Sequence, residues 1–555
     1  MIRSAVLKTP LIIQSFQLTP ASVHIYRGQG EQHALCNRTT QAGNEVEMFD
    51  EDLIIAVNSL YLQMIFRIVC LCALVGLAFY LAYISQDRSR YQYPPGPFSW
   101  PIIGNLATIA RRPVEMYLVI EDIRRVHGNI FSLYFGNKLA VFINGNAAVK
   151  DALVDHGHMF STRPKSAMRI WGKLFKRKGL GMLRGKELET VKRATKSALR
   201  NLSYGSAFFN ERMNVEMSAL KNEIEKKAGQ PFMINDLALK SLANVICSIT
   251  LGKRFDYEDK QFNQLISLVF KFLNFLHVDL FENYIPVLGF VNPFSKTNIL
   301  MKVLQDTDDI ITQFIEDHKA TFDACKVRDF IDVFLLRQKT DADNQVFSDE
   351  TLKTMIHSLF MAGIESTQVA LRWFCLYMLH YPDTQARCQV EIDQVIGQDR
   401  PPKITHRDGM PYMQATIHEL LRHCNIAPLG APHAANEDVI FHGFYIPKDT
   451  MVFFNFYGIH MDEKLWPDAH AFKPERWLNE QGNFVKSNKG FLPFSMGPRY
   501  CLGDQLAKRE LFLMFTSLLQ CFKLDVPDHI ELPPLKGIQR LSLGPQDYLM
   551  RAIQR

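Results

Sequence analysis

The chain has 555 residues, of which 47% are hydrophobic and 22% are charged, and its net charge is +6. This composition is typical of a globular protein with a large core. A nucleic-acid-binding protein would need concentrated basic patches with exposed aromatic residues. The chain has only short basic clusters, such as residues 173–178, so we predict no nucleic-acid partner.

The ten cysteines are scattered along the chain. They form no CxxC pair and no cysteine–histidine array with the spacing of a zinc site. This pattern predicts reduced thiols and a catalytic portion that faces the cytosol.

The first predicted element is a transmembrane helix over residues 64–84. Arg67 is its only charged residue, and a spanning helix needs about 20 mostly apolar residues. Acidic residues precede it and basic residues follow it from Arg88, so the positive-inside rule places the downstream side in the cytosol. A buried core helix is the alternative. Residues 1–63 fit neither a mitochondrial presequence nor a clear signal peptide, and one hypothesis places the functional start at Met64.

A basic and proline-rich linker is predicted over residues 85–105. Its prolines fix φ and disfavour helix in the residue before each of them, which predicts a stiff elbow before the body of the protein. The alternating runs IFSLYFG and KLAVFING that follow predict two strands of a hairpin.

Residues 106–555 are predicted to form a single large domain that is mostly α with a minor β part. The pattern is mostly helical from about Asn146 to Tyr381, and strand-like runs return between Pro428 and Phe456. A long helix with apolar residues at helical spacing is predicted after Cys501.

Another long helix is predicted over residues 350–382, with Ser348 as its N-cap. The segment AGIEST lies in its middle. Gly363 in this segment costs roughly 1 kcal/mol against alanine, so it indicates either tight helix packing or a local opening of the helix where a ligand meets the backbone. In the second case Glu365 and Ser366 would be available to move protons.

The segment HELLR places Glu419 and Arg422 at i and i+3, on one face of a predicted helix. Taken alone, such a pair is typical of a surface salt bridge that contributes little to stability. Arg476 stands downstream in FKPERW.

One cysteine, in FLPFSMGPRYCLGDQ, has unusual neighbours. Cys501 precedes a predicted helix, whose N–H groups and dipole would stabilise a thiolate. Gly497 allows a tight turn, Gly503 allows close approach of the backbone, and Arg499 offers a guanidinium to an anionic group. A simple buried cysteine is the alternative, but the combination suits a flat, anionic metal cofactor such as haem.

This stretch resembles the haem-binding signature FxxGxRxCxG of the cytochrome P-450 superfamily. The matching residues are Phe494, Gly497, Arg499, Cys501 and Gly503. The resemblance runs from about Tyr93 to the C-terminus and is to the animal microsomal branch of drug-, steroid- and insect-hormone-metabolising enzymes. It implies haem b as the cofactor, with Cys501 as the axial ligand of its iron.

The segment AGIEST resembles the oxygen-activation motif of the family, which implies that Glu365 is the acid. Ser366 stands where the family usually has threonine, and Thr367 is a second hydroxyl for the same role.

Three charged residues, Glu419, Arg422 and Arg476, match a buried network that the family places beneath the haem. His433, in APH, matches a contact to a haem propionate.

One element departs from the family, which commonly has WxxxR on a helix facing the propionates. Leu188 stands at the tryptophan position and Lys192 at the arginine position, with Arg193 adjacent. The usual tryptophan N–H donor is therefore absent. Lys192 or Arg193 would supply positive charge, but lysine is a point charge and not a planar fork.

The resemblance implies a monooxygenase of the endoplasmic reticulum membrane that inserts one atom of O2 into a lipophilic small molecule by hydroxylation or epoxidation. Electrons would come from NADPH through a flavoprotein reductase that docks on a basic face. Lys508, Arg509, Lys196 and Arg200 either contribute to that face or are ordinary solvated charges.

Two other functions stay open: a haem-thiolate isomerase or dehydratase acting on a peroxide, and a non-enzymatic membrane haem protein. The retained Glu365 with a neighbouring hydroxyl favours the monooxygenase over both.

Steroids, fatty acids, terpenoids and xenobiotics all fit as substrates. The phenylalanine-rich segment 268–286 predicts a lipophilic lining or a membrane-facing portal. Candidate pocket walls are Phe360, Ala362, Leu429 and Gly430.

Overall fold

The computed structural model describes residues 55–56, 59–76, 78, 91–164, 179–203, 207–277, 296–341, 346–486 and 490–555. The chain divides into two compact units, Met1–Ile84 and Ser85–Arg555.

The first unit contains helix α1, Ser59–Gly76, which is long and apolar enough to cross a membrane. Its large apolar side chains, among them Phe66 and Val69, are exposed. The helix begins before the predicted start at Met64, because the apolar residues 60–62 continue it. Most of the extension predicted over residues 1–63, the predicted end of the anchor after residue 78 and the basic linker up to residue 90 lie outside the described residues.

The second unit is mostly helical, and the predicted fold class is confirmed. Its helices are α2 (Leu106–Ala110), α3 (Met116–His127), α4 (Asn146–Lys150), α5 (Gly185–Ser203), α6 (Ala207–Glu225), α7 (Asn235–Thr250), α8 (Lys260–His277), α9 (Lys296–Ala320), α10 (Phe330–Thr340), α11 (Asp349–His380), α12 (Pro382–Val395), α13 (Pro411–Cys424), α14 (Phe456–His460) and α15 (Asp504–Cys521). Short 3-10 turns cover Pro113–Glu115, Ile404–Gly409, Pro474–Trp477 and Gly497–Arg499, and a π turn covers Asp151–Asp155.

The strands are short and form a minor part of the unit. They are β1 (Ile130–Phe135), β2 (Lys138–Ile143), β3 (His433–Ala434), β4 (Val439–Phe441), β5 (Phe444–Ile446), β6 (Met451–Phe454), β7 (Phe522–Asp525), β8 (Ile538–Gln539), β9 (Leu543–Gly544) and β10 (Arg551–Gln554). Among the described residues they make one four-stranded sheet in the order β1-β2-β6-β3 and three two-stranded pairs, β4–β5, β7–β10 and β8–β9.

The predicted hairpin of β1 and β2 is confirmed, with Ile130 opposite Ile143 in an antiparallel register. The second predicted strand region contains the β4–β5 hairpin and β6. His442 and Gly443 join β4 to β5 and both have positive φ, which is the backbone that a tight two-residue hairpin turn requires.

Helix α11 is buried along most of its length. The hydroxyl of Ser348 accepts the N–H of Thr351 (3.2 Å), so the predicted N-cap is confirmed. Farther along, Phe374 stacks on Phe515 of α15 with 3.7 Å between ring centroids. These contacts fix α11 against the helix that follows Cys501.

Candidate functional site

The segment before α15 folds back on itself and presents Cys501. The N–H of Cys501 donates to the carbonyl of Phe494 (3.0 Å), and the N–H of Tyr500 donates to the carbonyl of Gly497 (3.0 Å). Gly497 has a φ of +73°, and a Cβ there would lie 1.8 Å from the carbonyl oxygen of Leu153. Only glycine fits this turn, as the sequence predicted.

The Cys501 side chain has a large accessible area, yet protein atoms surround it closely enough that burial raises the pKa of its thiol. The sulfur therefore opens into a concave space and not onto the outer surface. The N–H of Gly503 and the charge of Lys508 lower this pKa, but burial outweighs them. The predicted thiolate stays a prediction for the metal-bound site, since a bound metal ion deprotonates a coordinating thiol.

The Cys501 sulfur and Gly503 border the same open space. A Cβ on Gly503 would meet only the Cys501 sulfur, at 4.0 Å. On the other side of the loop, Lys508 lies 4.7 Å from the centre of the Phe494 ring and 3.2 Å from a carboxylate oxygen of Asp504. The loop is therefore held by contacts with α15, and these contacts do not cover the Cys501 sulfur.

Arg499 turns away from the sulfur and binds two carbonyl groups of distant segments. It donates to the carbonyls of Ser161 (2.6 Å) and Leu183 (2.7 Å). Lys192 of α5 donates to the carbonyl of Pro498, which places α5 against the cysteine loop.

Arg163 was not singled out from the sequence, although it lies in the segment FSTRP. It donates to the carbonyls of Ala431 (2.9 Å) and Pro432 (2.8 Å). His433 is buried beside it, and its Nδ1 donates to the carbonyl of Phe160 (2.6 Å).

These cations repel one another in a partly desolvated place. Burial and the charge of Arg499 lower the pKa of Arg163 to about 9. Burial and the charge of Arg184 lower the pKa of Arg499 to about 10. Burial, followed by the charge of Arg163, lowers the pKa of His433 far below its usual value. A bound anion would reverse each of these shifts, so the cluster is suited to a negatively charged ligand.

The AGIEST segment exposes one side of the otherwise buried helix α11. Ala362 is exposed and Ser366 is half-buried, one turn apart on the same face, whereas Thr367 is buried. The Ser366 hydroxyl donates to the carbonyl of Ala362 (2.7 Å). The structure therefore presents the hydroxyl of Ser366, rather than that of Thr367, to the accessible space.

The predicted local opening of α11 is wrong, because the helix is continuous from Asp349 to His380. A Cβ on Gly363 would lie 2.6 Å from Cδ1 of Ile246 in α7. Tight packing between α7 and α11, the alternative reading of this glycine, is the physical reason for it.

Glu365 is buried, and burial raises the pKa of its carboxyl. Gln368 donates to its Oε2 (3.0 Å), and the charges of Arg372 and Arg540 act in the opposite direction without outweighing burial. The neutral, protonated form of Glu365 is therefore favoured over a wider pH range than in an ordinary glutamate.

Of the four candidate pocket walls, only Ala362 is exposed. Phe360 and Leu429 are buried in the core, and a Cβ on Gly430 would lie 2.8 Å from the ring of Phe456.

The structure brings Glu419, Arg422 and Arg476 together in a buried network. Arg422 approaches both carboxylate oxygens of Glu419, at 2.9 and 2.7 Å, and Arg476 approaches one of them at 2.9 Å. Trp477 completes the set by donating its indole N–H to Glu419 (2.9 Å). Burial alone would raise the pKa of Glu419, but the hydrogen bonds and charges of these partners hold it below its usual value.

This network reaches the cysteine loop through His460. Arg422 donates to the carbonyl of His460 (2.7 Å), whose Nε2 accepts the N–H of Leu492 (2.9 Å). The His460 Nδ1 donates to the side-chain oxygen of Asn425 (2.7 Å). No local pattern points to His460, because its partners are distant in the chain.

The family comparison decides between the chemistries that this site permits. The family model described as Cytochrome P450 matches residues 94–551. The chain belongs to the cytochrome P450 family.

Curated relatives match this chain over nearly their whole length. Cytochrome P450 2J5 of Mus musculus is 35% identical over 483 residues, which is 86% of this chain and 94% of the relative. Cytochrome P450 2B4 of Oryctolagus cuniculus is 35% identical over 500 residues, which is 88% of this chain and 100% of the relative. Cytochrome P450 2U1 of Rattus norvegicus is 33% identical over 504 residues, which is 87% of this chain and 94% of the relative. The predicted resemblance to animal members is confirmed.

As a cytochrome P450, the chain is a haem-thiolate monooxygenase that uses O2, a redox partner and a lipophilic substrate. The described residues fit the cofactor. The Cys501 sulfur opens into a concavity, a Cβ on Gly503 would project into the same space, and buried guanidinium groups lie nearby without a neutralising carboxylate among the contacts given above. Haem supplies the anionic propionates and the metal ion that these groups suit.

Three residues at the WxxxR motif depart from the cytochrome P450 pattern, and each lies in a different environment. Leu188 is buried and packs in the apolar core. Lys192 contacts the cysteine loop, as described, whereas Arg193 is exposed and its side chain is in none of the contacts that define the site.

Proposed function

We propose that this cytochrome P450 is anchored in the endoplasmic reticulum membrane and inserts one atom of O2 into a lipophilic small molecule by hydroxylation or epoxidation. Electrons come from NADPH through a flavoprotein reductase. The observation that carries the proposal is the Cys501 sulfur, which opens into a concave space next to a cluster of buried cations.

Haem bound in this space supplies the activation of O2 at its iron. Cys501 Sγ would bind the iron, and Arg499, Arg163 and His433 would hold the propionates. Since the Nδ1 of His433 donates to a backbone carbonyl, the Nε2 of the neutral ring is an acceptor, and a propionate beside it favours the protonated ring. The open side of Gly503 leaves room for the macrocycle.

Glu365 and Ser366 deliver protons. The raised pKa of Glu365 favours the protonated carboxyl over a wider pH range than usual, and Gln368 donates to one carboxylate oxygen and so fixes its orientation. The Ser366 hydroxyl has a partner within its own helix, the carbonyl of Ala362. Rotation of this hydroxyl passes a proton from the Glu365 side of α11 to the accessible space, and Thr367 is too deeply buried for the same role.

The redox partner binds through acidic groups to a basic face near the cysteine loop. Lys196 and Arg200 are exposed on α5, which contacts the loop. Lys508 is half-buried and paired with Asp504, so we expect it to contribute less than the exposed residues of α5. Arg509 is half-buried next to it.

In this proposal helix α1 serves as the membrane anchor, and the basic residues that follow the apolar run support a cytosolic catalytic body. A membrane enzyme has access to lipophilic substrates. The described part of the phenylalanine-rich segment, in α8, buries Phe272 and Leu273 in the core, and residues 278–286 lie outside the described residues. Steroids, fatty acids, terpenoids and xenobiotics remain the candidate classes.

The ligand assignment is tested with the purified holoenzyme, reduced and exposed to carbon monoxide. We expect the red-shifted Soret absorption that indicates thiolate ligation. Cys501→His should abolish this absorption, whereas the matched control Cys521→Ser, at the far end of α15, should retain it. An unaltered spectrum for Cys501→His would exclude this cysteine as the ligand.

The reaction is tested with a panel of lipophilic compounds and product mass analysis. We expect oxygenated product only when NADPH and the reductase are both present. Product from a peroxide substrate without either of them would instead identify an isomerase or dehydratase.

A further inference from the structure

We propose that Arg184 binds a haem propionate, in place of the tryptophan and arginine that the family commonly presents from α5. The inference rests on the haem site proposed above. It assigns a cofactor-positioning role to a residue that neither the signature nor the WxxxR motif contains.

The position of Arg184 follows from the geometry of α5. The helix begins at Gly185, and the N–H of Leu188 donates to the carbonyl of Arg184 (3.2 Å). Arg184 is thus one turn before Leu188. Helical side chains lean toward the N-terminus of their helix, so a tryptophan at 188 would cover the turn that Arg184 occupies. Leu188 is buried in the apolar core and brings no donor to this turn.

The contacts of Arg184 place its guanidinium in the cation cluster. It donates to the carbonyl of Arg163, and the carbonyl of its chain neighbour Leu183 accepts a hydrogen bond from Arg499 (2.7 Å). Burial lowers the pKa of Arg184, and the charge of Asp449 acts in the opposite direction.

The chemistry of the cluster points to a carboxylate ligand. The hydrogen bonds described for Arg163, Arg499 and Lys192 end on backbone carbonyls. Such a cluster is stabilised by an anion, and a planar guanidinium binds a carboxylate by a geometry that an ammonium group cannot reproduce. Lys192 offers an ammonium group and not a planar fork, so Arg184 is the better replacement for the missing motif.

The first experiment measures the rate at which the holoenzyme loses haem to an excess of apomyoglobin. Arg184→Gln should lose haem about tenfold faster than the wild type, since a charge-assisted hydrogen bond is removed. Lys186→Gln removes the same charge from an exposed position two residues away and should match the wild type. Equal rates for Arg184→Gln and the wild type would overturn the proposal.

The second experiment separates a propionate contact from a merely structural role. The haem-free protein recovered from that transfer is reconstituted with haem or with its dimethyl ester, which has no propionate charge. Arg184→Gln should weaken binding of haem but not of the ester, and Leu188→Trp in the Arg184→Gln background should restore retention of haem. An equal loss for haem and ester would show that the substitution acts on the fold and would overturn the proposal.

Two further measurements distinguish failure of the Arg184 assignment from failure of the proposed haem site. Arg184→Lys keeps the charge without the fork and should give an intermediate rate of haem loss. A wild-type rate for this variant would overturn the assignment of a guanidinium fork. Failure of the wild type itself to show the thiolate spectrum would refute the proposed haem site, whereas a normal spectrum with an unaffected Arg184→Gln refutes only the role of Arg184.

Discussion

Two buried glutamates of this chain, Glu419 and Glu365, have pKa values shifted in opposite directions. Glu419 is 0% exposed, but guanidinium and N–H donors at both carboxylate oxygens lower its pKa. Glu365 is 9% exposed, and its side-chain hydrogen bonds come from the neutral groups of Gln368 and Ser542, so burial outweighs them and raises its pKa. Burial by itself does not set the charge of a carboxyl group; the number of donors around it does.

The difference matches the work of each region. The Glu419 network is permanently charged, because guanidinium groups do not titrate near neutral pH, and through His460 it supports the loop that presents Cys501. The Glu365 region has a carboxyl group with a raised pKa, one residue before the half-buried Ser366. We propose that the first region holds the cysteine ligand in place and that the second keeps a proton exchangeable.

Breaking the Glu419 network should give the largest effect. Arg422→Leu leaves a buried carboxylate without its main partner and should lower the free energy of unfolding by about 3–5 kcal/mol. Chemical denaturation measures it. The control Arg387→Leu breaks an exposed ion pair with Glu475 and should cost less than about 1 kcal/mol. Similar losses for the two variants would show that burial of the network has no energetic consequence.

Removing the exchangeable proton should affect turnover more than structure. Glu365→Gln should reduce the rate of product formation about 100-fold, the usual scale of a general acid. The reduced carbon monoxide spectrum should stay as in the wild type, because Cys501 is untouched. Product analysis with NADPH and reductase gives the rate, and an unchanged rate would remove Glu365 from the proton path.

The opposite shifts predict opposite dependences of stability on pH. A group whose pKa is raised by folding stabilises the protein below its unfolded pKa, and this stabilisation is lost as the pH rises through its folded pKa. Since the pKa of Glu365 is raised, the wild type should lose stability relative to Glu365→Gln as the pH rises from 5 to 8. A lowered pKa contributes stability above the unfolded value of about 4.3, and this is lost as pH falls through the folded value.

The deficit of Glu419→Gln should therefore stay constant from pH 5 to pH 8 and shrink only in more acidic solution. Denaturation curves at several pH values measure both variants. Parallel pH dependences for the two would contradict the assigned shifts.

The smallest expected effect distinguishes the two hydroxyls of α11. Ser366→Ala should divert a few-fold larger share of reducing equivalents to hydrogen peroxide, because the hydroxyl that faces the accessible space is lost. Thr367→Ala should leave this share unchanged and cost a small amount of stability, since Thr367 is buried. Assays of hydrogen peroxide and product under turnover compare the two variants. A larger share of peroxide for Thr367→Ala than for Ser366→Ala would assign the proton-delivering hydroxyl to Thr367.

Local sequence patterns were sufficient wherever the cause of a structure is local. The alternation of β1 and β2, the cap at Ser348, and the spacing of Gly497, Arg499 and Cys501 act within a few residues. They therefore predicted the hairpin, the start of α11 and the cysteine turn. The opening of α11 was predicted wrongly because the reason for Gly363 is a neighbour in α7, far away in the chain.

The sequence by itself determined the family and the fold class and named Cys501 and Glu365 as candidates for the chemistry, because helix and strand periodicities and a short signature depend on near neighbours. Only the tertiary structure decided that Arg163 and Arg184 join Arg499 and that His460 links the network to the loop. It also decided that Ser366 rather than Thr367 reaches open space, and that the pKa values of Glu365 and Glu419 shift in opposite directions. These properties depend on burial and on donors from distant segments, and such contacts exist only after the chain has folded.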